Sequence, residues 1–408
     1  MRTRNSSNEL LLVAILGISC WGCQQSTSGG NGSGGSQAGA NGSGGSQAGG
    51  STGNQAGGSQ AGGSQAGGST GSQAGGSGGG KTFDPTKPPC DIYEADGGPC
   101  VAAHSTVRLL RSKYEGPLYQ VKKADGSTHD IGFIASSGLA NAADQDTFCD
   151  VNACTISIIY DQSGNNNHLT KAPPGGQKTT ADNEANAKSI PISLGGQKVY
   201  GEHNAVGVGY RNNDATKTAS GDDPQTVYMV VSADYKNGGC CFDYGNAERN
   251  SRDNGEGTME AVYFGTCTTW NKGGGNGPWI MGDLENGLWA GDYTPYPDNP
   301  SVPANYKFVT GLVKGEKKST ANPNGHWAIR YGDAQSGTLL KPFDGPRPND
   351  KYNPMRKEGA IILGTGGDNS SSGQGNFFEG VMTAHYSSDA ADDAVQANIV
   401  AAGYGPAN

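Results

Sequence analysis

Thr226-Val-Tyr-Met-Val-Val-Ser232 is a short run of β-branched, aromatic and apolar residues that follows Pro224 and gives way to Ala233-Asp234. It reads as a β-strand. Comparable runs occur at Thr155–Tyr160, Ala261–Phe264, Trp279–Trp289, Tyr306–Val313, Trp327–Tyr331, Gly359–Leu363 and Phe377–Tyr386. Loops rich in Gly, Asn, Asp and Pro separate them. Two helices are expected, over Val101–Lys113 and Ala390–Ala402. Strands and helices do not alternate regularly, which disfavours a parallel α/β sheet. The expected fold is all-β, a β-sandwich.

These runs lie within residues 82–408, enough chain for one large core. Residues 24–81 differ: Ser-Gln-Ala-Gly-Gly recurs, for example at Ser59–Gly63 and Ser64–Gly68. With no apolar face to bury, this segment is expected to be a flexible linker with a reach of roughly 40 Å. Residues 1–23 combine Arg2 and Arg4, the apolar run Leu10–Ile18, and Ser19-Cys20-Trp21-Gly22-Cys23. That is the arrangement of an export signal, and its cysteines resemble a bacterial lipoprotein signal. Cys20 or Cys23 is then the acylated residue, although neither has the usual Leu three positions earlier. The expected location is the outer membrane or cell surface through a lipid anchor, or otherwise plain secretion.

The chain of 408 residues has a formal net charge of −9 and no basic run. Holding a phosphate backbone needs clustered Lys and Arg, so nucleic acid is not an expected partner. Mean hydropathy is −0.58, and no apolar run approaches the roughly 18 residues of a membrane-spanning helix.

Cys90 with Cys100 and Cys149 with Cys154 bracket short loops and are natural disulfide pairs in an oxidising compartment. Cys240 and Cys241 are adjacent. A trans peptide holds neighbouring Cα atoms about 3.8 Å apart, below the usual disulfide range. On chemistry alone two free thiols are preferred there, with a bond between neighbours as the alternative. Cys267 has no evident partner.

The His spacing excludes a His-x-x-x-His zinc motif, and there is no Gly-x-Ser-x-Gly elbow or phosphate-binding loop. What remains is acids among aromatics and glycines. In Trp279-Ile-Met-Gly-Asp283-Leu-Glu285-Asn-Gly-Leu-Trp289, a strand period of two puts Trp279, Met281, Asp283 and Glu285 on one face. Such acids are ordinarily a solvated outer face. Gly364-Thr-Gly-Gly-Asp368-Asn369 places another acid after a strand, where a turn Asp is the ordinary reading. Two carboxyls, one ionised and one protonated, are what glycoside hydrolysis needs, and Trp270 or a closed Cys240–Cys241 pair offers apolar surface to a sugar face. Residue chemistry by itself reaches a sugar hydrolase or a sugar binder.

Longer strings are more specific. Cys90-Asp-Ile-Tyr-Glu-Ala, Pro99-Cys-Val-Ala-Ala-His-Ser-Thr106, Gln145-Asp-Thr-Phe-Cys149, Ile158-Ile-Tyr-Asp-Gln-Ser-Gly164, Cys240-Cys-Phe-Asp-Tyr-Gly-Asn-Ala-Glu248, Gly277-Pro-Trp-Ile-Met281 and Lys357-Glu-Gly-Ala-Ile-Ile-Leu-Gly364 occur in that order. From about Pro88 to Gly403 the chain resembles the α-L-arabinofuranosidases of glycoside hydrolase family 54. The resemblance implies a jelly-roll, concanavalin A-like sandwich that removes non-reducing α-L-arabinofuranosyl groups with retention. It implies Glu285 as nucleophile and Asp368 as acid/base, with Trp270, Asp283, Asn286 and Gly367 contacting the sugar. It also implies a vicinal Cys240–Cys241 disulfide in the sugar subsite, and the pairs Cys90–Cys100 and Cys149–Cys154. No metal or organic cofactor and no protein partner is implied; the implied partner is an arabinose-containing polysaccharide or oligosaccharide. Two departures stand out. Gly287 occupies a position expected to be Asn, and the chain stops at Asn408, where fungal members continue into an arabinose-binding β-trefoil, so weaker polymer binding is expected. Rival readings are a galactofuranosidase with the same site, an arabinose-binding surface lectin, and a plain adhesin.

Overall fold

The computed structural model describes residue 84, residues 86–291 and residues 302–407. The signal, lipidation and linker expectations for residues 1–81 lie outside the described residues. Among those described, no helix is long and apolar enough to cross a membrane.

Two large antiparallel sheets form a sandwich. In the first, Gln225–Ser232 runs between Phe308–Glu316 and Gly375–Thr383, and His326–Asp333 follows next to Phe308–Glu316. The quoted run Thr226–Ser232 is thus a central strand, buried along its whole length. In the second sheet, Leu288–Trp289, Trp279–Asp283, Glu260–Gly265, Asp243–Ala247, Ala360–Leu363 and Tyr210–Asn212 lie side by side.

The two-residue side-chain period splits this second sheet into two working faces. Tyr244, Val262, Phe264, Ile280, Ile361 and Leu363 enter the main core. The opposite face carries Tyr263, Trp279 and Met281 in one small cluster, and Ala247, Ala261 and Ile362 in another. Glycines let the sheets approach: a Cβ on Gly380 of the first sheet would meet the Tyr244 ring at 2.5 Å, and one on Gly282 of the second would meet Trp327 at 2.6 Å.

The C-terminal helix forms as expected, over Asp389–Ala402. Ser388 caps it by accepting the Ala391 N–H, and Gly403 ends it at φ 73°. The expected helix Val101–Lys113 does not form. Cys100–Ser105 is instead a strand, fully buried against Gly375–Thr383, and the helix at that end is Pro89–Ala95. The Ala, Leu and Arg residues of Val101–Lys113 favour a helix only by local propensity, and ladder pairing in the sheet overrides that preference.

The run Trp279–Trp289 is also not one strand. It is a hairpin, Trp279–Asp283 and Leu288–Trp289, closed at Glu285 and Asn286 with φ 67° and 51°. Positive φ at both central residues is the form that matches sheet twist in tight hairpins. The disulfides Cys90–Cys100 and Cys149–Cys154 are present. Cys240 and Cys241 are bonded to each other, which corrects the free-thiol preference. Their shared peptide is cis, so the Cα atoms are 2.9 Å apart and the trans spacing assumed above does not apply. Cys267 is a buried free thiol.

Candidate active site

The outer face of the second sheet is where the predicted acids gather. Trp279, Met281 and Asp283 share that face, as the strand period predicts, but Glu285 reaches it by way of the hairpin turn. Left-handed φ at non-glycine residues costs on the order of 1 kcal/mol each, and two hydrogen bonds hold the turn. The Glu285 N–H donates to Asp283 Oδ1 at 3.2 Å, and the Tyr352 hydroxyl donates to the Glu285 carbonyl at 3.0 Å. Both acids are buried, Asp283 to 6% exposure and Glu285 to 5%. The solvated-face reading is therefore overturned.

Asp368 arrives from the loop after Ala360–Leu363. This loop is folded on itself: the Gly366 N–H donates to the Ser370 carbonyl at 2.8 Å, and the Ser370 N–H donates to Asp368 Oδ1 at 3.0 Å. The Gln177 N–H donates to the Asp368 carbonyl at 3.0 Å. A Cβ on Gly175 would sit 2.8 Å from that same carbonyl oxygen, so the segment Pro173-Pro174-Gly175-Gly176 packs backbone to backbone on the acid's loop. Gly367 has no room for a side chain, because a Cβ there would lie 2.9 Å from Glu285 Oε2 and closer still to Glu248. The loop that bears Asp368 thus rests directly on the Glu285 carboxyl.

The Cys240–Cys241 segment is tied to the same loop. The Cys241 N–H donates to the Ser370 carbonyl at 3.3 Å, and the Ser372 N–H and hydroxyl donate to the Cys240 carbonyl at 3.2 and 2.9 Å. Cys241 Sγ lies 3.4 Å from Asp283 Oδ2. Cys240, Cys241 and Asp283 are close enough to suggest a metal site, but disulfide sulfurs supply no thiolate, so this donor set does not fit an ion. Asn286 is exposed, its amide donating to Asp253 Oδ1 at 3.2 Å. Trp270 is 38% exposed, on the loop beyond Cys267. Gly287 is buried, and a Cβ there would press on the Tyr352 hydroxyl at 2.7 Å.

Three buried groups at this site had not been singled out in the sequence. Asp243 faces Asp283 across the sheet, and its carboxyl is held well above the ordinary range, first by burial and then by the Asp283 charge. Asp283 itself is pushed up to about 7, chiefly by burial. Glu248 is fully buried against Glu285, whose carboxyl is raised far above its ordinary range by burial and by the hydrogen bond and charge of Glu248. Arg211 is the buried cation facing this group. Its guanidinium donates to the Gly366 and Glu248 carbonyls and to Asn213 Oδ1. Burial lowers it to about 10 against the opposing pull of Glu248, Asp368 and Glu285. Glu248 closes one of the quoted strings, but no local pattern distinguishes it there from a turn acid, and Arg211 and Asp243 likewise stand out only in three dimensions.

Residues 89–405 match the family model described as "Alpha-L-arabinofuranosidase B, catalytic". The chain is 56% identical over 322 residues to an α-L-arabinofuranosidase of Hypocrea jecorina, covering 78% of this chain and 63% of that one. Against the α-L-arabinofuranosidase B of Emericella nidulans it is 54% identical over 324 residues, covering 78% and 62%. The chain therefore spans somewhat under two thirds of the length of these curated relatives. Among solved structures, an arabinofuranosidase complexed with arabinofuranosyl-α-1,2-xylobiose superposes with a TM-score of 0.75 at 51% identity, over 78% of this chain and 66% of that one. A family 54 α-L-arabinofuranosidase soaked with a cyclic sulfate inhibitor gives the same values.

Proposed function

Because the chain belongs to the α-L-arabinofuranosidase B catalytic family, we propose that it is a retaining α-L-arabinofuranosidase acting on arabinan- or arabinoxylan-type polymers. The observation that carries this is the seating of the Asp368 loop on the Glu285 carboxyl through Gly367, which packs the loop of one acid onto the hairpin turn of the other. Glu285 attacks C1 of the arabinofuranose while Asp368 protonates the departing oxygen. The C1–O bond breaks as an ester to Glu285 forms. Asp368 then takes a proton from water, which hydrolyses the ester with net retention. Asp283, Asn286, Gly367, Trp270 and the Cys240–Cys241 sulfurs are assigned to holding the sugar. That a relative's structure holds an arabinofuranosyl xylobiose favours arabinose side chains on xylan as substrate.

We also place the enzyme outside the cytoplasm, as its three disulfides suit an oxidising compartment. Residues 1–23 serve as export signal, with Cys20 or Cys23 as lipid attachment point, and residues 24–81 as linker to the domain at 82–408.

The deciding measurement is release of nitrophenol from 4-nitrophenyl α-L-arabinofuranoside by the full chain, beside Glu285→Gln and Asp368→Asn. Turnover by the parent, lost in both variants and yielding the retained anomer by NMR, is expected. Binding of arabinose oligomers without turnover of this substrate or the galactofuranoside overturns the reading in favour of a lectin.

A further inference from the structure

Glu248 has a chemical position that a scaffold residue does not need. It sits immediately after the strand Asp243–Ala247, is fully buried, and accepts the Thr258 hydroxyl on Oε1 at 2.8 Å. Among the described residues, its Oε2 receives no donor from an amide, hydroxyl or cation. It is aimed instead at the Glu285 carboxyl: one point, where a Cβ on Gly367 would be, lies within 2.9 Å of both Glu248 Oε2 and Glu285 Oε2. Two carboxyl oxygens can hydrogen-bond only if one of them keeps a proton. Glu285 reaches the surface of the site, whereas Glu248 does not, so the two carboxyls are not interchangeable.

We propose that Glu248 is a positioning residue for Glu285: it carries the one proton that the pair shares and donates it as a hydrogen bond, holding Glu285 as a carboxylate aimed past Gly367. This rests on the reading of Glu285 as nucleophile. The surrounding charges call for one proton on the pair, and the exposure of Glu285 alone at the site assigns it to Glu248. Glu285 is also faced by Asp283 on its own hairpin, by Asp253 on the loop between Asp243–Ala247 and Glu260–Gly265, and by Tyr352. Asp243 lies behind Asp283, and Asp368 across from it. Against these acids stands the buried cation Arg211. One negative charge on the Glu248–Glu285 pair is compatible with that balance, and two are not.

During the reaction Glu248 keeps its proton. When Glu285 forms its ester to C1, the carboxylate becomes a weaker acceptor and the hydrogen bond loosens. When water cleaves the ester, the carboxylate and the bond return together. The residue thereby favours the leaving of Glu285 in the second step without itself touching the sugar.

The test compares Glu248→Gln and Glu248→Ala in the full chain, with kcat and KM for 4-nitrophenyl α-L-arabinofuranoside measured against pH and folding checked by thermal melting. Glutamine retains a donor but cannot ionise. Loss of the donor in the alanine variant is expected to lower kcat roughly ten- to hundredfold, the worth of a hydrogen bond to a charged group, with KM little changed. It should also move the acidic limb of the kcat profile to higher pH, because Glu285 then lacks the bond that favours its charged form. Glutamine should restore both. A shift of that limb to lower pH in both variants would mean that Glu248 is an anion repelling Glu285, and would overturn the proposal, as would parental kcat and pH profile in both. Difference infrared spectroscopy across the same pH range gives an arm independent of turnover. A protonated-carboxyl band missing from the glutamine variant supports the shared proton, and an unchanged spectrum overturns it. A parent inactive on arabinofuranosides removes the proposed function and leaves the infrared arm to decide the proton.

Discussion

Asp283 Oδ1 accepts the backbone N–H of Glu285 at 3.2 Å, so one buried acid fixes the turn that presents the other. The link runs from the Asp283 carboxyl to the Glu285 main chain and not from carboxyl to carboxyl, which lets Asp283 face the Cys241 sulfur and Asp243 while Glu285 faces Gly367 and Glu248.

Asp283 makes stability depend on pH. Burial raises its folded pKa to about 7, against about 3.9 unfolded. The folded protein therefore holds a proton that the unfolded chain releases, and the associated stability is full below about pH 4 and lost as pH rises through about 7. Thermal melting should show Tm falling over that window, and Asp283→Asn, which retains the acceptor for Glu285, should flatten the fall. Asp243 leaves a residual slope of the same sign.

Gly367→Ala places a methyl against both glutamates. Overpacking of this kind costs about 1–3 kcal/mol, and relief can come only by moving the Asp368 loop or the Glu285 carboxyl. Circular dichroism should show an intact sheet signature, with kcat for the nitrophenyl arabinofuranoside reduced much more than Tm would suggest. A fully active Gly367→Ala enzyme would contradict the close seating described here.

Arg211→Met removes the cation from a buried group of acids while leaving their burial unchanged. Removing one member of such a set typically costs about 3–5 kcal/mol. The loss in Tm should be greater at pH 8 than at pH 5, since Asp283 of the same group, raised to about 7, is charged only at the higher pH. Chemical denaturation at the two pH values measures the difference.

Trp270→Ala separates binding from folding. The ring is 38% exposed, and surface substitutions usually change stability by under about 0.5 kcal/mol. Losing an aromatic face for the sugar, worth about 0.5–1.5 kcal/mol, should raise KM roughly three- to tenfold at nearly constant Tm. Parallel KM and melting measurements check this.

Much of the sandwich was legible because a buried strand needs a sustained apolar or β-branched run. Gln225–Ser232, Phe308–Glu316 and Ala360–Leu363 advertise themselves that way. Short or polar strands such as Tyr210–Asn212 and Asp243–Ala247 do not, because their neighbours in the sheet, and not their own composition, keep them extended. Val101–Lys113 differs from its helix expectation for the same reason: its local preference is too small to resist pairing of Cys100–Ser105 with Gly375–Thr383.

By itself the sequence determined the sandwich class and the family resemblance, since these rest on strand periodicity and on strings of residues adjacent in the chain. The burial of Asp283 and Glu285, and the convergence of Glu248, Asp243 and Arg211, were decided only by the tertiary structure. Charge state and proton sharing depend on distances between groups that the chain separates by tens of residues, and on removal from water, neither of which any local run of residues encodes.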